Sequence, residues 1–235
     1  MLSSKAITIL TPLFKIIEGS KGKTIREIKF ELNLERINMK KGASGLIIET
    51  LLGIKNNNTA DADIPEIWCE VKILPIQKNR NGDIKVKEPT QIQTINYFEV
   101  ANEKWETAKI RKKITLTFWI VYLAKENSKS LDQEDYKIID YFIDYPNEDK
   151  VLVFKKDWEN IQSYIIKGLG DKLSCSMGEY IEPKTKGANK LDVTNAPDGN
   201  GGILKARRRA FYFKKKIYQF TDNSKYWFEF TYKVN

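Results

Sequence analysis

Residues 63–76 read DIPEIWCEVKILPI. From Pro65 the text alternates with period two, so that Ile67, Cys69, Val71 and Ile73 face one way and Trp68, Glu70 and Lys72 the other, the pattern of a half-buried strand. Asp63 precedes Glu70 by seven residues and Glu70 precedes Lys72 by two, a D-x6-E-x-K set that brings two acids and a base to one strand and the loop before it. Period-two geometry sets Glu70 and Lys72 side by side, which a helix would not do. Two carboxylates are oxygen ligands suited to Mg²⁺, which polarises a phosphate and acidifies water. A neighbouring lysine orients that water or stabilises developing negative charge. The plainer reading is an ion pair on the solvated face of an amphipathic strand, because E-x-K alone is a common pattern. Two other residues weigh against it. Glu49 lies in an otherwise apolar stretch, where an unpaired carboxylate is costly. Lys113, at the mouth of the next apolar run, offers a second cation.

Upstream, apolar residues at helical spacing (Leu13, Ile16 and Ile17, then Ile25, Ile28 and Phe30) predict two short helices with a turn at residues 19–22. KGASGLIIETLLG (41–53) predicts a helix over 43–52 stopped by Gly53, and residues 55–63 read as a polar loop. Downstream, strands are expected over 114–123 and 137–142, with a fourth beginning near Val151. A helix over 157–167 follows, burying Trp158, Ile161, Tyr164 and Ile165 and ended by Gly168 and Gly170. Beyond Tyr180 the text turns rich in Gly, Pro, Asn and Lys, then gives the basic strand ARRRAFYFKKKIYQF (206–220).

The chain has 235 residues and a formal net charge of +9, a bias toward polyanionic partners. Residues 184–216 hold ten basic and two acidic side chains, so the polyanion-binding surface is expected to be local. Two cysteines are too few for a disulfide framework or a structural zinc site, which fits a reducing cytoplasm. No signal peptide or membrane-length apolar run is read, and no membrane partner is expected. Histidine is absent, which excludes Ser-His-Asp chemistry and nuclease motifs with histidine ligands.

Taken together, KGASGLIIETLLG (41–53), DIPEIWCEVK (63–72), NYFEVANEKWETAKIRKK (96–113), DWENIQSYIIKG (157–168), GEYIEPKTKGAN (178–189) and RRAFYFKK (208–215) resemble the MutH family, over roughly residues 10–220. That family comprises the mismatch-repair nicking endonuclease MutH and MutH-like type II restriction endonucleases that cut at GATC. The phrases VANE, WET and TKGAN look closer to the restriction branch. The resemblance implies a PD-(D/E)xK, restriction-endonuclease-like α/β fold: a mixed central sheet flanked by helices, in two lobes around a DNA cleft. It implies one endonuclease domain over 1–235, with a mostly helical part at 1–55, a catalytic sheet at 56–170 and a basic DNA-recognition part at 171–235. Glu49, Asp63 and Glu70 become the acids of a Mg²⁺ centre, Lys72 the catalytic lysine and Lys113 an accessory cation.

Lys41 corresponds to a DNA contact near the active site, and Lys184 and Lys186 fall where the family reads the major groove. Tyr212 matches a tyrosine near the adenine whose methylation is sensed; an added N6-methyl group would meet it sterically. Arg207, Arg208, Arg209, Lys214, Lys215 and Lys216 are expected to touch phosphate without carrying sequence content. Phe211 and Phe213 are read as core, and Trp105 as packing. The resulting expectation is a type II restriction enzyme, methylation-sensitive, at GATC or a related palindrome. The alternatives are a GATC nicking enzyme of mismatch repair, with a MutL-like activator, and an inactive DNA-binding subunit. One departure stands out: GATC restriction enzymes of this family often carry a second, diverged copy of the fold, and these residues hold one. Double-strand cutting then calls for a homodimer, a second subunit or sequential nicking.

Overall fold

The computed structural model describes residues 2–39, 42–54, 61–78, 81–124, 133–187, 189–218 and 231–232. In chain order its main elements are α1 (Ser4–Glu18), α2 (Ile25–Glu31), α3 (Ala43–Leu51), β1 (Cys69–Lys78), β2 (Ile84–Val86), β3 (Gln91–Thr94), α4 (Tyr97–Asn102), α5 (Lys109–Ile114), β4 (Leu116–Leu123), β5 (Lys137–Asp144), α6 (Glu148–Ile166), β6 (Ile181–Thr185), β7 (Val193–Pro197), β8 (Ile203–Arg207), β9 (Arg209–Phe213) and β10 (Thr231–Tyr232). They form two compact units, one of Met1–Glu88, Thr115–Tyr145 and Tyr218–Asn235, the other of Pro89–Ile114 and Pro146–Ile217. Residues 89–114 and 146–170 thus belong with the basic part of the chain rather than with the sheet that carries residues 63–72.

The first unit is built on a five-stranded mixed sheet in the order β10-β5-β4-β1-β2, with β1 parallel to β4 and the other pairs antiparallel. The reason β4 is central is its text, LTFWIVYL, apolar but for Thr117 and buried at seven of eight positions. The amphipathic helix α1 presents Ala6, Leu10, Phe14 and Ile17, one position per turn. Phe14 lies edge-on to Phe118 of β4 and stacks on Tyr141 of β5, each at 5.3 Å between ring centroids. A Thr24–Glu27 capping box starts α2. The helix α3 buries Ala43, Ile47 and Ile48, and Gly53, at φ 69°, lets the chain turn away after it. Each large apolar side chain so buried contributes about 1.5–3 kcal/mol.

The second unit has, among its described residues, a three-stranded sheet in the order β3-β9-β6, a β7-β8 hairpin and the α-helices α4, α5 and α6. Its core holds Phe211, Phe213, Phe154 and Trp158, and Trp105 packs against Trp158 at 5.7 Å. Among the described residues no helix is long and apolar enough to cross a membrane.

Four local expectations are corrected. The alternation does not begin at Pro65: residues Pro65–Ile67 form a 3-10 turn and Trp68 takes left-handed φ 53°, so the strand starts at Cys69. The run at 114–123 is a strand only from Leu116, because Ile114 closes α5. No strand begins near Val151. That residue is in the first turns of α6, whose N-cap Asn147 accepts from the Lys150 amide at 2.9 Å. The apolar stretch VLVF (151–154) reads locally as a strand, but Phe154, Trp158, Ile161 and Ile165 repeat at helical spacing. Finally, the basic strand is two strands, since the chain leaves the β7-β8 hairpin at Arg208 and enters the middle of the three-stranded sheet as β9.

Candidate active site

Asp63, Glu70, Lys72 and Glu49 all lie in the first unit. Between residues 63 and 71 the chain folds back on itself. Ile64 and Cys69 exchange backbone hydrogen bonds at 2.9 and 3.1 Å, and the Asp63 carboxylate accepts from the Val71 amide at 2.8 Å. The seven-residue spacing therefore closes a loop that returns Asp63 to the start of β1. Glu70 is 3% exposed, and Lys72 Nζ donates to its Oε1 at 2.5 Å. A carboxylate at that depth needs such a partner.

Glu49, half-buried on α3, has a carboxyl pKa held above the ordinary value, first by burial and then by the negative charge of Asp63, with Glu70 adding and Lys72 opposing. The four groups therefore share one electrostatic field. Burial likewise pushes up the pKa of the Cys69 thiol, keeping it protonated behind the site. Among the described residues no three acidic or thiol side chains converge closely enough to enclose an ion. The donor set nonetheless suits a hard cation, being all oxygen, and its mutual repulsion at Glu49 is what a divalent ion would offset. Lys113 belongs to the second unit, in the last turn of α5, and Lys41 lies outside the described residues.

A pH prediction follows from Glu49. With its folded pKa above its unfolded one, the cost of ionising it is fully present above the folded pKa and vanishes below the unfolded value. Glu49→Gln should raise the thermal midpoint slightly at pH 7 in chelator, and the gain should fade below the normal carboxylate range. The size is limited by solvent screening. Thermal melts at pH 7 and pH 3.5 check it.

In the second unit the expected DNA-facing residues separate into two groups. Tyr212, Lys184 and Lys186 cluster around β9. The Tyr212 hydroxyl donates to Gln91 Oε1 at 3.3 Å, Lys184 Nζ lies 5.7 Å from the Tyr212 ring centre, and Lys186 Nζ donates to Thr94 Oγ1 at 2.8 Å. Gln91 and Glu182 flank Tyr212 in register, one on each side. Arg207 is half-buried on β8.

Arg209 and Lys214 are engaged in holding the fold. Arg209 is 6% exposed and donates to the carbonyls of Pro183 at 3.0 Å and Asp171 at 3.4 Å, so the expected phosphate contact gives way to a structural role. Lys214 Nζ donates to the carbonyl of Gly178 at 2.8 Å, tying down the loop before β6.

Sequence reasoning missed Gln91 and Thr94, whose only signal is the polar alternation TQIQT (90–94). It also missed Asp157. This buried side chain on α6 accepts from the amides of Glu179, Tyr180 and Ile181 at 2.7, 2.6 and 2.9 Å, and so fixes where β6, bearing Lys184, begins.

A family model described as the DNA mismatch repair enzyme MutH matches residues 52–157, a span that contains Asp63, Glu70 and Lys72. The type II restriction enzyme Sau3AI of Staphylococcus aureus is 32% identical over 198 residues, 82% of this chain. The DNA mismatch repair protein MutH of Haemophilus influenzae (strain PittGG) is 26% identical over 211 residues, which are 88% of this chain and 92% of that protein. The chain belongs to the MutH-like family of endonucleases. This MutH-like chain spans 38% of the length of Sau3AI. Its mixed sheet flanked by helices is restriction-endonuclease-like. Among solved structures, a complex of the restriction endonuclease MvaI with cognate DNA aligns over 92% of this MutH-like chain and 95% of that one, at 12% identity and a TM-score of 0.40.

Proposed function

We propose that this MutH-like chain is a Mg²⁺-dependent, sequence-specific endonuclease of double-stranded DNA, of type II restriction character, cutting at GATC or a related short palindrome and sensitive to adenine methylation. The observation that carries the reading is the loop closure that holds the Asp63 carboxylate on the Val71 amide, beside the buried Glu70–Lys72 pair of β1. Glu49, Asp63 and Glu70 would hold the ion, drawing closer around it than they stand in its absence. When bound, it supplies Lewis-acid polarisation of the phosphodiester and lowers the pKa of water.

The chain's own side chains do the rest. Asp63 is oriented by the Val71 amide, which leaves its carboxylate pinned beside β1. Lys72, beside Glu70, donates to an attacking water or to the charge growing on phosphate oxygen. Lys184, Lys186 and Tyr212 face the base edges, where lysine donates to guanine O6 and N7 and the tyrosine meets an adenine N6-methyl group. Lys113 acts as an accessory cation, Lys41 as a DNA contact near the cut, and Arg207 touches phosphate.

The restriction reading draws on the higher identity to Sau3AI. A second reading, a GATC nicking enzyme that works with a MutL-like activator, draws on the near full-length match to MutH. Incubating the protein and Mg²⁺ with unmethylated, hemimethylated and fully adenine-methylated plasmid separates them. Linear fragments from unmethylated plasmid support restriction, by a homodimer, with a second subunit or by successive nicks. Weak nicking of unmethylated and hemimethylated plasmid supports repair, and binding without cutting in any divalent ion sinks both and leaves an inactive DNA-binding subunit.

Neutralising Arg207, the side chain placed on phosphate, should flatten the log-log dependence of DNA affinity on salt by about one. Filter binding across a salt series measures this, and an unchanged slope would move the phosphate contacts elsewhere.

A further inference from the structure

Trp68 stands between the acids in the chain, five residues after Asp63 and two before Glu70. Two unfavourable features coincide there. The backbone sits at φ 53° and ψ 40°, a region that glycine occupies freely and a bulky side chain rarely does. The indole, an apolar group that folding would normally bury, is 46% exposed. The chain reversal that returns Asp63 to β1 needs a positive φ at this point, and glycine would supply it with less strain. A tryptophan at this position is therefore not explained by the turn. Strain kept at a site that the surroundings over-determine is a marker of function.

The frame around Trp68 is rigid. Ile64 and Cys69 exchange two backbone hydrogen bonds, the Trp68 amide donates to the Pro65 carbonyl at 3.3 Å, and the Val71 amide holds Asp63. The ring is thus mounted on the short loop that joins Asp63 to Glu70, two of the three candidate ion-binding carboxylates, and little backbone entropy is lost when it meets a ligand. The indole is uncharged and Glu66 is exposed on the same turn, so the ring offers a phosphate no cationic partner.

We infer that Trp68 is a substrate contact. Its indole packs against the uncharged sugar and groove-side base edge of the nucleotide next to the phosphate held at Asp63 and Glu70, an inference that rests on the nuclease reading above. Apolar packing there makes no base-reading hydrogen bond, so the contact adds affinity and placement, while Lys184, Lys186 and Tyr212 add discrimination. Being uncharged, it releases no counterions.

The test uses Trp68→Gly, which suits the left-handed backbone, and Trp68→Phe, which keeps a ring. Affinity for a GATC duplex is measured in Ca²⁺ over a salt series, with single-turnover cutting in Mg²⁺ and a thermal midpoint for each variant. The glycine variant should bind about tenfold more weakly with an unchanged salt slope and an undiminished midpoint, and the phenylalanine variant should recover most of the loss. A duplex made abasic in turn at each nucleotide beside the cut locates the contact: a vanished difference between wild type and Trp68→Gly assigns it to the base, a persisting one to the sugar. Wild-type affinity and cutting in Trp68→Gly would overturn the inference, as would a lowered midpoint with unchanged affinity, which marks a packing role. Wild-type protein that neither binds nor cuts would instead overturn the nuclease reading beneath it.

Discussion

Glu70→Gln should lower DNA cutting by at least about a thousandfold while leaving affinity in Ca²⁺ within a few-fold of wild type. The substitution is nearly isosteric and the backbone at this point is clamped, with Glu70 in parallel register with Thr117 of the fully buried part of β4. What is lost is one negative charge beside Lys72 and the other acids, and with it the field that selects a divalent ion. Lys72→Ala should abolish cutting to a similar degree but behave differently in unfolding. It takes from a carboxylate only 3% exposed the lysine that neutralises it, and should destabilise the protein by roughly 1–3 kcal/mol. In the double variant Glu70→Gln/Lys72→Ala much of that stability should return, since no charge is left stranded. Urea unfolding of the three variants beside a cleavage assay separates chemistry from folding. Equal stability losses in the singles and the double would count against the pair.

The second large effect lies outside the chemistry. Asp157→Ala should cost about 3–5 kcal/mol in stability, because one buried carboxylate satisfies three successive amides at 2.6–2.9 Å. The loop it holds is tight. Gly178 sits at φ 74°, and a Cβ there would lie 2.1 Å from the Ile181 carbonyl oxygen. Without the carboxylate, the start of β6 loses its anchor and Lys184 its fixed position. Asp157→Asn, which keeps one acceptor oxygen, should lose less than half as much. A loss under about 1 kcal/mol for the alanine variant, by urea unfolding, would show that the amides find other acceptors.

Much of this was legible in the sequence because it depends on local spacing. The helix at Ala43–Leu51, the strands carrying Glu70 and Phe118, and the buried alternation of Phe211 and Phe213 each follow from periodicity. The misreadings share a cause. Val151 has the composition of a strand, and only the longer spacing through Phe154 and Trp158 decides for helix. Arg209 looks like its neighbours Arg207 and Arg208 in the text, but β9 lies between two strands and turns residue 209 inward onto the Pro183 carbonyl. Asp157 could not be singled out, because its partners are backbone amides more than twenty residues away and any sequence supplies those. For the candidate site, D-x6-E-x-K gave the residues. The loop closure that unites them, with Trp68 in left-handed backbone, required coordinates.

The central claim is that Glu49, Asp63, Glu70 and Lys72 make one ion-dependent hydrolytic centre. The most direct test is single-turnover cutting of an unmethylated GATC duplex, with the protein in excess, as Mg²⁺ is titrated in from a chelated start. Saturable cutting that is absent in chelator and absent from Asp63→Asn at every Mg²⁺ concentration is the predicted result. Cutting that persists in chelator, or an Asp63→Asn protein that cuts like wild type, would contradict it.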